Sequence, residues 1–361
     1  MTATRGTGTR LSSSSSSGGG ASSETPADVP EEEAVETVLE PVIFTQDIFH
    51  EENAVIKDAI CTQSNAGNKK VLLFADQGLA DATLGLIQKI QTWFDRIDDR
   101  LPWLKDHHVT IESSNSFPHS SGIASSASAF SAMALCLLDH ARKAGLSTMS
   151  SDFTEEASLL ARLGSGSASR SVMGGLVVWG VHKGTPGSSD NHAIPYPHEV
   201  HPDMMSYQDL VLLVDVGQKS VSSSAGHELM AKHPFAATRF EQAHHNMDAL
   251  QGILKAGDHW AFIDLIESEA LTLHGLMMNS SPSYLLMKPN TLAIIQRIRQ
   301  FRQDKQVPVG FTLDAGANVH MLYPESLKST VESFANDQLK SLCKDGRMIL
   351  DEVGKGPVPL S

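Results

Sequence analysis

An α+β fold in two parts is predicted for this chain by three observations. Short apolar segments typical of strands are interspersed with longer segments whose apolar residues recur at three and four positions, as in helices packed against a sheet. A polar loop rich in serine leads into a helical run, with a spacing that fits neither a P-loop nor a dinucleotide fingerprint. A stretch rich in Gly, Pro, Ser and His at 183–206 is expected to link the two parts.

Composition excludes several classes of protein. The chain has 361 residues, 41% of them hydrophobic and 19% charged, which is typical of a globular protein with a buried core. A formal net charge of −14 argues against nucleic-acid binding as the main function, and no apolar run is long enough to cross a bilayer. The three cysteines lie far apart, without the spacing of a disulfide framework or a metal site, and this indicates a reducing compartment such as the cytoplasm. No zinc-ligand spacing occurs among the sixteen histidines.

The first 40 residues are predicted to form a disordered tail. A Ser/Gly tract at Ser12–Gly20 is followed by acidic residues at Glu31–Glu33, with few large apolar side chains to bury. Residues 1–23 contain Arg5 and Arg10 but no acidic residue, a composition that faintly resembles an organelle transit peptide. A solvated tail on a cytoplasmic protein is the favoured interpretation.

Residues 41–88 are expected to form an α/β segment. The pattern predicts a helix near 51–60, a strand at Lys70–Ala75, a turn at Asp76–Gly78 and an amphipathic helix over Leu79–Ile97. VLLFADQGLA is similar to the N-terminal unit of 3-dehydroquinate synthase-like proteins. That resemblance covers only about residues 40–88 and includes none of that family's metal ligands, so a generic α/β unit explains the segment equally well.

The stretch Ser113–Leu138 joins a polar loop to a helix of about four turns. Free backbone N–H groups and the helix dipole attract an anion at such a helix start, and serine hydroxyls beside it can bind phosphate oxygens or a phosphate-bound Mg²⁺. An ordinary serine-capped helix is the alternative. The candidate phosphate-binding residues are Pro118, Ser120, Ser121, Gly122, Ala124, Ser125 and Ser126.

Three further segments carry candidate functional residues. A predicted helix at 150–162 ends in LGSGSASRSVMGGLVVWG, where glycines and serines surround one cation, Arg170, which could hold a carboxylate through two hydrogen bonds. A flexible turn with a solvated arginine is the alternative. The strand predicted at Leu210–Val216 leads into a second serine-rich turn at 218–226. After three helices over 237–303, Gly310–Tyr323 reads as strand, sharp turn and strand, and Asp314 begins the turn.

These segments resemble one family. FPHSSGIASSASAFSAMAL is similar to the phosphate loop of the GHMP small-molecule kinases and, within them, to that of the diphosphomevalonate decarboxylases, with His119-Ser120-Ser121 where many members have Thr-Ala-Ala. GSGSASRS and LDAGAN resemble two further family motifs, with Ser169 in place of Cys and Ala317 in place of Pro. The resemblance covers about residues 89–361. It implies the two-domain GHMP kinase fold: a ribosomal protein S5 domain 2-like ATP-binding half at 89–182 and a ferredoxin-like half at 207–361.

The resemblance also implies a function and a set of roles. The expected reaction is the ATP-dependent decarboxylation of mevalonate 5-diphosphate to isopentenyl diphosphate, in isoprenoid and sterol biosynthesis, by a cytoplasmic homodimer. Asp314 is the implied catalytic acid and Arg170 the carboxylate-binding group. The serine loop is implied to bind ATP with Mg²⁺, the latter through Ser126, without a protein-only metal site. The implied substrate-binding residues are Asn115, Ser167, Arg170, Ser222 and Ser223.

The sequence lacks one motif of the family, and two alternative functions therefore stay open. Relatives open with a strand of the type A-x-x-N-I-A-L-I-K-Y-W-G-K, whose Lys and Tyr face the substrate diphosphate, and no such segment occurs here. A GHMP kinase that phosphorylates a mevalonate-type alcohol without decarboxylation is therefore the second hypothesis. An inactive or rearranged chain that lacks the substrate-binding strand is the third.

Overall fold

The computed structural model describes residues 71–72, 83–107, 109–111, 125–216 and 232–359. The predicted tail at 1–40, the predicted helix near 51–60, the serine loop up to Ala124 and the whole second serine-rich turn at 218–226 lie outside the described residues. No helix in the described part of the chain is both long enough and apolar enough to cross a membrane.

The N-terminal half is mainly helical. Its core is formed by large apolar side chains such as Trp93, Phe130 and Leu160, and the Trp93 indole N–H donates to the Leu160 carbonyl at 2.7 Å. Two short strands pair in parallel and two others form an antiparallel hairpin. The elements are β1 (Val71–Leu72), α1 (Thr83–Ile97), β2 (Val109–Thr110), α2 (Ser125–Ala144), α3 (Phe153–Gly164), a 3₁₀ helix (Gly166–Arg170), β3 (Val177–Trp179) and β4 (Ala193–Pro195).

The C-terminal half packs helices on an antiparallel sheet of four strands in the order β6-β7-β5-β8. Side chains such as Ile294, Ile298, Phe311 and Met321 are fully buried between helix and sheet. Segregated helices on an antiparallel sheet define an α+β architecture, as predicted. The elements are β5 (Tyr207–Leu212), α4 (Ala236–Ala256), α5 (His259–Met278), α6 (Pro289–Lys305), β6 (Gly310–Leu313), β7 (Val319–Pro324), α7 (Lys328–Phe334) and β8 (Met348–Glu352).

The local predictions hold best in the C-terminal half. The three helices expected over 237–303 are confirmed as α4, α5 and α6, and the strand–turn–strand unit is confirmed as β6 and β7. The strand expected at Leu210–Val216 instead spans Tyr207–Leu212. It ends early because Leu212 pairs with Val319, the first residue of the partner strand, and beyond that point the chain has no strand to pair with.

The stretch 183–206, expected as a linker, contains regular structure. Its middle forms β4, which pairs with β3, and its end forms a 3₁₀ helix at Pro202–Ser206. The Gly/Pro-rich part makes a tight turn, in which the Thr185 N–H donates to the His182 carbonyl at 3.0 Å and the Gly180 N–H donates to the Ser189 carbonyl at 2.9 Å. This turn returns the chain antiparallel to β3, and the Ala193 N–H is fixed by the buried Ser158 hydroxyl at 2.8 Å.

Candidate active site

Arg170 ends a short 3₁₀ helix that follows directly from α3. The preceding residues Ala168 and Ser169 are fully buried, whereas Arg170 is exposed. The Ser158 hydroxyl donates to the Ser169 carbonyl at 2.8 Å and so ties this segment to α3. Among the described residues, no side-chain hydrogen bond or ion pair is recorded for the Arg170 guanidinium. A cation on a well-anchored backbone is thus left available for an anionic ligand.

The start of α2 contacts the start of the Arg170 segment. Ser126 is exposed in the first turn of α2, and its hydroxyl lies 3.2 Å from the hydroxyl of Ser165. Ser165 immediately precedes the 3₁₀ helix, and the half-buried Ser167 lies within it. Of the residues predicted for the site, Ser167 and Arg170 lie in this 3₁₀ helix, and Ser126 contacts the residue that precedes it.

Asp314 lies where β6 ends, at the first position of the sharp turn into β7. Its side chain is half-buried, and its carboxylate accepts a hydrogen bond from the Ala315 N–H. Its backbone carbonyl accepts two more, from the Gly316 N–H at 2.7 Å and from His274 Nε2 at 3.0 Å. Since a carbonyl can only accept, the His274 ring must carry its hydrogen on Nε2.

A side chain of α6 and a backbone N–H just after β5 hold the rest of this turn. The hydroxyl of Thr291, which is fully buried, donates to the Ala317 carbonyl at 2.6 Å. The Asn318 side chain accepts from the Asp215 N–H at 2.9 Å. Asp215 precedes the segment that carries Ser222 and Ser223, so the chain enters that segment beside the Asp314 turn.

Two histidines near Asp314, the buried His274 and the partly buried His320, have pKa values shifted in opposite directions. Burial lowers the pKa of His274, and the hydrogen bond to the Asp314 carbonyl together with the Asp314 charge offsets this only partly. Burial alone would also lower the pKa of His320. However, the hydrogen bond with Asp209 at 2.8 Å and the charges of Asp209, Asp314 and Asp351 outweigh it, and the pKa is raised. His274 is therefore a neutral donor at pH 7, whereas His320 keeps its proton to a higher pH than an ordinary histidine does.

A cavity of about 420 Å³ elsewhere on the C-terminal half is not part of this arrangement. It is lined by Asp203, Ser206, His259 and the residues 324–326. Those residues lie at the far end of β7 from the Asp314 turn, about 17 Å away for a six-residue strand.

The predicted site residues divide into two groups. Ser126, Ser167, Arg170 and Asp314 are described, while the side chain of Ser125 and the residues Asn115, Pro118, Ser120, Ser121, Gly122, Ala124, Ser222 and Ser223 lie outside the described residues. The sequence analysis missed His274, Thr291 and Asn318, which support the Asp314 turn. For His274, the available signal was its spacing of two helical turns from Glu267, which places both polar side chains on one face of α5.

Comparison with known proteins reveals the family. A family model described as the diphosphomevalonate decarboxylase-like N-terminal domain matches residues 58–193, and one described as the mevalonate 5-diphosphate decarboxylase C-terminal domain matches residues 209–356. A phosphomevalonate decarboxylase of Haloferax volcanii is 30% identical over 69% of this chain and 72% of its own. A diphosphomevalonate decarboxylase of Ganoderma lucidum is 31% identical over 65% of this chain and 58% of its own.

Solved structures show the same fold. The mevalonate diphosphate decarboxylase of Staphylococcus aureus matches with a TM-score of 0.63 at 22% identity, over 81% of this chain and 82% of that one. The enzyme of Legionella pneumophila matches with a TM-score of 0.61 at 23% identity, over 80% and 86%. A complex of MDDEF with MVAPP, AMPPCP and magnesium matches with a TM-score of 0.62 at 23% identity, over 81% and 82%.

These matches define a two-domain α+β protein of the GHMP type, as predicted. The chain belongs to the diphosphomevalonate decarboxylase family. The N-terminal family model begins at residue 58, so the family match extends into the segment 41–88, before the start at about residue 89 that was expected from the sequence. The boundaries of the two domains stay a prediction.

Proposed function

We propose that this chain catalyses the ATP-dependent decarboxylation of mevalonate 5-diphosphate to isopentenyl diphosphate, with ADP, phosphate and CO₂ as the other products. The observation that carries the proposal is the support of the Asp314 turn. His274 fixes the backbone of the acid itself, and Thr291 fixes the turn three residues further on. A turn held by buried donors from two helices keeps one carboxylate in place, as general acid–base chemistry requires.

Asp314 is assigned to the tertiary hydroxyl of the substrate. Its carboxylate orients this hydroxyl and takes its proton as the oxygen attacks the terminal phosphorus of ATP. The new phosphate ester then breaks at its carbon–oxygen bond, and phosphate leaves with the bonding electrons. The positive charge that develops on the tertiary carbon is quenched when the bond to the carboxylate breaks, which releases CO₂ and forms the alkene.

Arg170 is assigned to the substrate carboxylate. Its exposed guanidinium can hold both oxygens, which aligns the breaking carbon–carbon bond with the cationic centre. The backbone anchored by Ser158 limits the positions this guanidinium can occupy. Since CO₂ leaves as a neutral molecule, this contact must orient the carboxylate without stabilising its charge so strongly that its departure is prevented.

The serine loop and α2 are assigned to ATP. The start of α2 and the exposed hydroxyl of Ser126 form a donor set that suits phosphate oxygens. A magnesium ion bound with ATP would neutralise charge on the transferred phosphoryl group. The complex of MDDEF with MVAPP, AMPPCP and magnesium supports this assignment. The family resemblance is also the basis for proposing a cytoplasmic homodimer; sedimentation of the purified chain would test the dimer, and cell fractionation would test the location.

The test measures ADP, phosphate and CO₂ together for the wild type and for Asp314→Asn. We expect equimolar ADP and CO₂ from the wild type, and a loss of turnover of about 10²- to 10⁴-fold in the variant with nucleotide binding retained. Asp304→Asn, an exposed carboxylate at the end of α6, is the matched control and should behave as the wild type. Turnover of Asp314→Asn at the wild-type rate would refute the role of Asp314.

The same assay separates the alternative functions. ADP release without CO₂ would identify a kinase, and nucleotide binding with neither product would identify an inactive chain. Because the Haloferax volcanii relative is a phosphomevalonate decarboxylase, mevalonate 5-phosphate is the second substrate to assay. Higher kcat/KM with the monophosphate than with the diphosphate would reassign the substrate while retaining the decarboxylation.

A further inference from the structure

The chain that follows β8 contacts the segment that carries Arg170. We call residues 353–359 the C-terminal segment. It continues from β8, the strand that pairs with β5 at one edge of the C-terminal sheet. The Gly175 N–H donates to the Gly354 carbonyl at 2.8 Å. Gly175 lies five residues after Arg170 in a different half of the molecule, so this hydrogen bond joins the two halves.

Two glycines make this contact a close approach of one backbone to another. A Cβ added to Gly174 would lie 2.3 Å from the carbonyl carbon of Lys355, and one added to Gly356 would lie 2.7 Å from the Gly174 nitrogen. Gly356 also has a φ of +93°, a conformation that other residues rarely adopt. A Cβ added to Gly354 would meet no heavy atom within 4 Å. Close packing is therefore specific to positions 174 and 356.

The contact connects the two candidate catalytic residues through the backbone. On one side, Arg170 lies between Ala168 and Val172, both buried in the N-terminal core, and the chain then runs to Gly174. On the other side, the C-terminal segment continues from β8, which pairs with β5. The next strand in the sheet is β7, which the Asp314 turn joins to β6. The Arg170 backbone is thus joined to the Asp314 backbone through covalent chain and backbone hydrogen bonds, without the need for any other side chain.

We propose that the C-terminal segment is a positioning element, which fixes the Arg170 segment relative to the sheet that carries Asp314. The proposal rests on the roles assigned above to Arg170 and Asp314. It predicts that loosening the glycine contact moves the guanidinium away from the substrate carboxylate, although no residue of the C-terminal segment needs to touch the substrate. Misplacement by about 1 Å is enough to lower a rate about hundredfold.

The first measurement is amide hydrogen exchange in the full-length wild type. The Gly175 amide should exchange slowly because its N–H donates a hydrogen bond to the Gly354 carbonyl. Rapid exchange at Gly175 would overturn the proposal. The second measurement compares Gly356→Ala with Gly354→Ala, two variants that add the same atom to the same segment. Exchange over residues 171–176 should accelerate in Gly356→Ala and stay at the wild-type rate in Gly354→Ala. Equal exchange in the two variants would also overturn the proposal.

The activity measurement tests whether Gly356→Ala lowers kcat/KM by displacing Arg170. In the wild-type background, Gly356→Ala should lower kcat/KM by about tenfold or more, whereas Gly354→Ala should not. In an Arg170→Ala background, Gly356→Ala should cause no further loss, since its effect acts through a group already removed. Equal losses in both backgrounds would show a general structural effect and refute the positioning role.

The two proposals fail in different ways. If the wild type releases no CO₂ from either mevalonate phosphate, the proposed function is wrong, and the exchange measurements still decide whether the segment fixes the Arg170 backbone. Circular dichroism shows whether Gly356→Ala folds. Should it not fold, Gly174→Ala provides the same test from the partner glycine, and Gly175 exchange in the wild type needs no variant.

Discussion

The segment around Arg170 and the turn at Asp314 are fixed in different ways. Near Arg170, three glycines lie against a neighbouring ring or backbone: Gly164 against Phe130, Gly166 against Trp179 and Gly174 against the C-terminal segment. At Asp314, the turn is held by donors from helices, the His274 ring and the Thr291 hydroxyl. The Arg170 segment therefore needs the absence of side-chain atoms at three glycines in addition to the Ser158 hydroxyl, whereas the Asp314 turn depends on the presence of side-chain donors.

This difference predicts opposite sensitivities to mutation. An added methyl group should damage the Arg170 segment, where no space remains for a Cβ. Removal of the Thr291 hydroxyl or the His274 ring nitrogen should damage the Asp314 turn, because the Ala317 carbonyl then loses its side-chain donor or the Asp314 carbonyl loses one of its two donors. The three predictions below test this contrast, in order of decreasing expected effect.

The largest effect is expected for Gly164→Ala at the end of α3. A Cβ at this position would lie 2.1 Å from a ring carbon of Phe130, which is itself only 1% exposed and cannot move aside. Overpacking of this kind costs about 3 kcal/mol, at the upper end of the range for core insertions. Urea unfolding followed by circular dichroism measures the change in the free energy of unfolding.

The control for this prediction is Gly252→Ala in α4. A Cβ there meets no heavy atom within 4 Å, so the substitution should stabilise the helix by about 1 kcal/mol. A Gly164→Ala protein as stable as the wild type would remove the basis for the contrast, since the most crowded glycine would then tolerate a side chain.

A smaller loss of about 2 kcal/mol is expected for Thr291→Val. Valine has the shape of threonine but cannot donate to the Ala317 carbonyl or accept from the Lys288 N–H at 3.1 Å. Turnover should also fall, because the Asp314 turn loses one of its fixed points. The measurements are urea unfolding and the ADP and CO₂ assay.

Thr291→Ser is the matched variant for this prediction. It keeps the hydroxyl and loses a buried methyl group, so it should cost only about 1 kcal/mol and retain turnover. If the serine variant loses more stability and activity than the valine variant, the methyl group and not the hydrogen bond supports the turn.

The sequence predicted those elements of the two regions that depend on residues close together in the chain. The helices α4 to α6 were predicted because their apolar residues recur at helical spacing, and the β6–β7 turn was predicted from Asp and Gly between two apolar runs. The motif around Arg170 was found from its glycines. The reasons for those glycines were not found, because Phe130 and Lys355 approach from distant parts of the chain and Trp179 approaches Gly166 only once the chain has folded back.

The hydrogen bond from His274 that holds the Asp314 turn could not be predicted either, because the two residues are far apart in the sequence. His274 reaches the turn from 40 residues away, and in the sequence it is one histidine among sixteen. Its neutral state depends on burial, which only the packed helix creates. The β4 strand was missed because Gly, Pro and Ser around it suggest a linker, and its pairing with β3 is a tertiary effect.

The smallest effect is expected for the pH dependence of stability, which distinguishes the two histidines beside Asp314. The pKa of His320 is raised above its ordinary value of 6.5 in the folded state, so its pairing with Asp209 stabilises the protein fully below pH 6.5 and less as the pH rises through the folded pKa. The pKa of His274 is lowered from 6.5, so the unfolded chain takes up the proton first, and stability falls as the pH drops below 6.5.

Melting temperatures of the wild type, His320→Gln and His274→Gln between about pH 5.5 and about pH 8.5 separate the two contributions. The His320→Gln protein should lack the part of the decline above pH 6.5 that the wild type shows, and the His274→Gln protein should lack part of the decline below it. Glutamine retains an amide donor, so the hydrogen bond to the Asp314 carbonyl can persist while the titration is removed. Parallel curves for all three proteins would show that neither histidine changes its pKa on folding. The support of Asp314 would then be a matter of geometry alone, as it is for the glycines around Arg170.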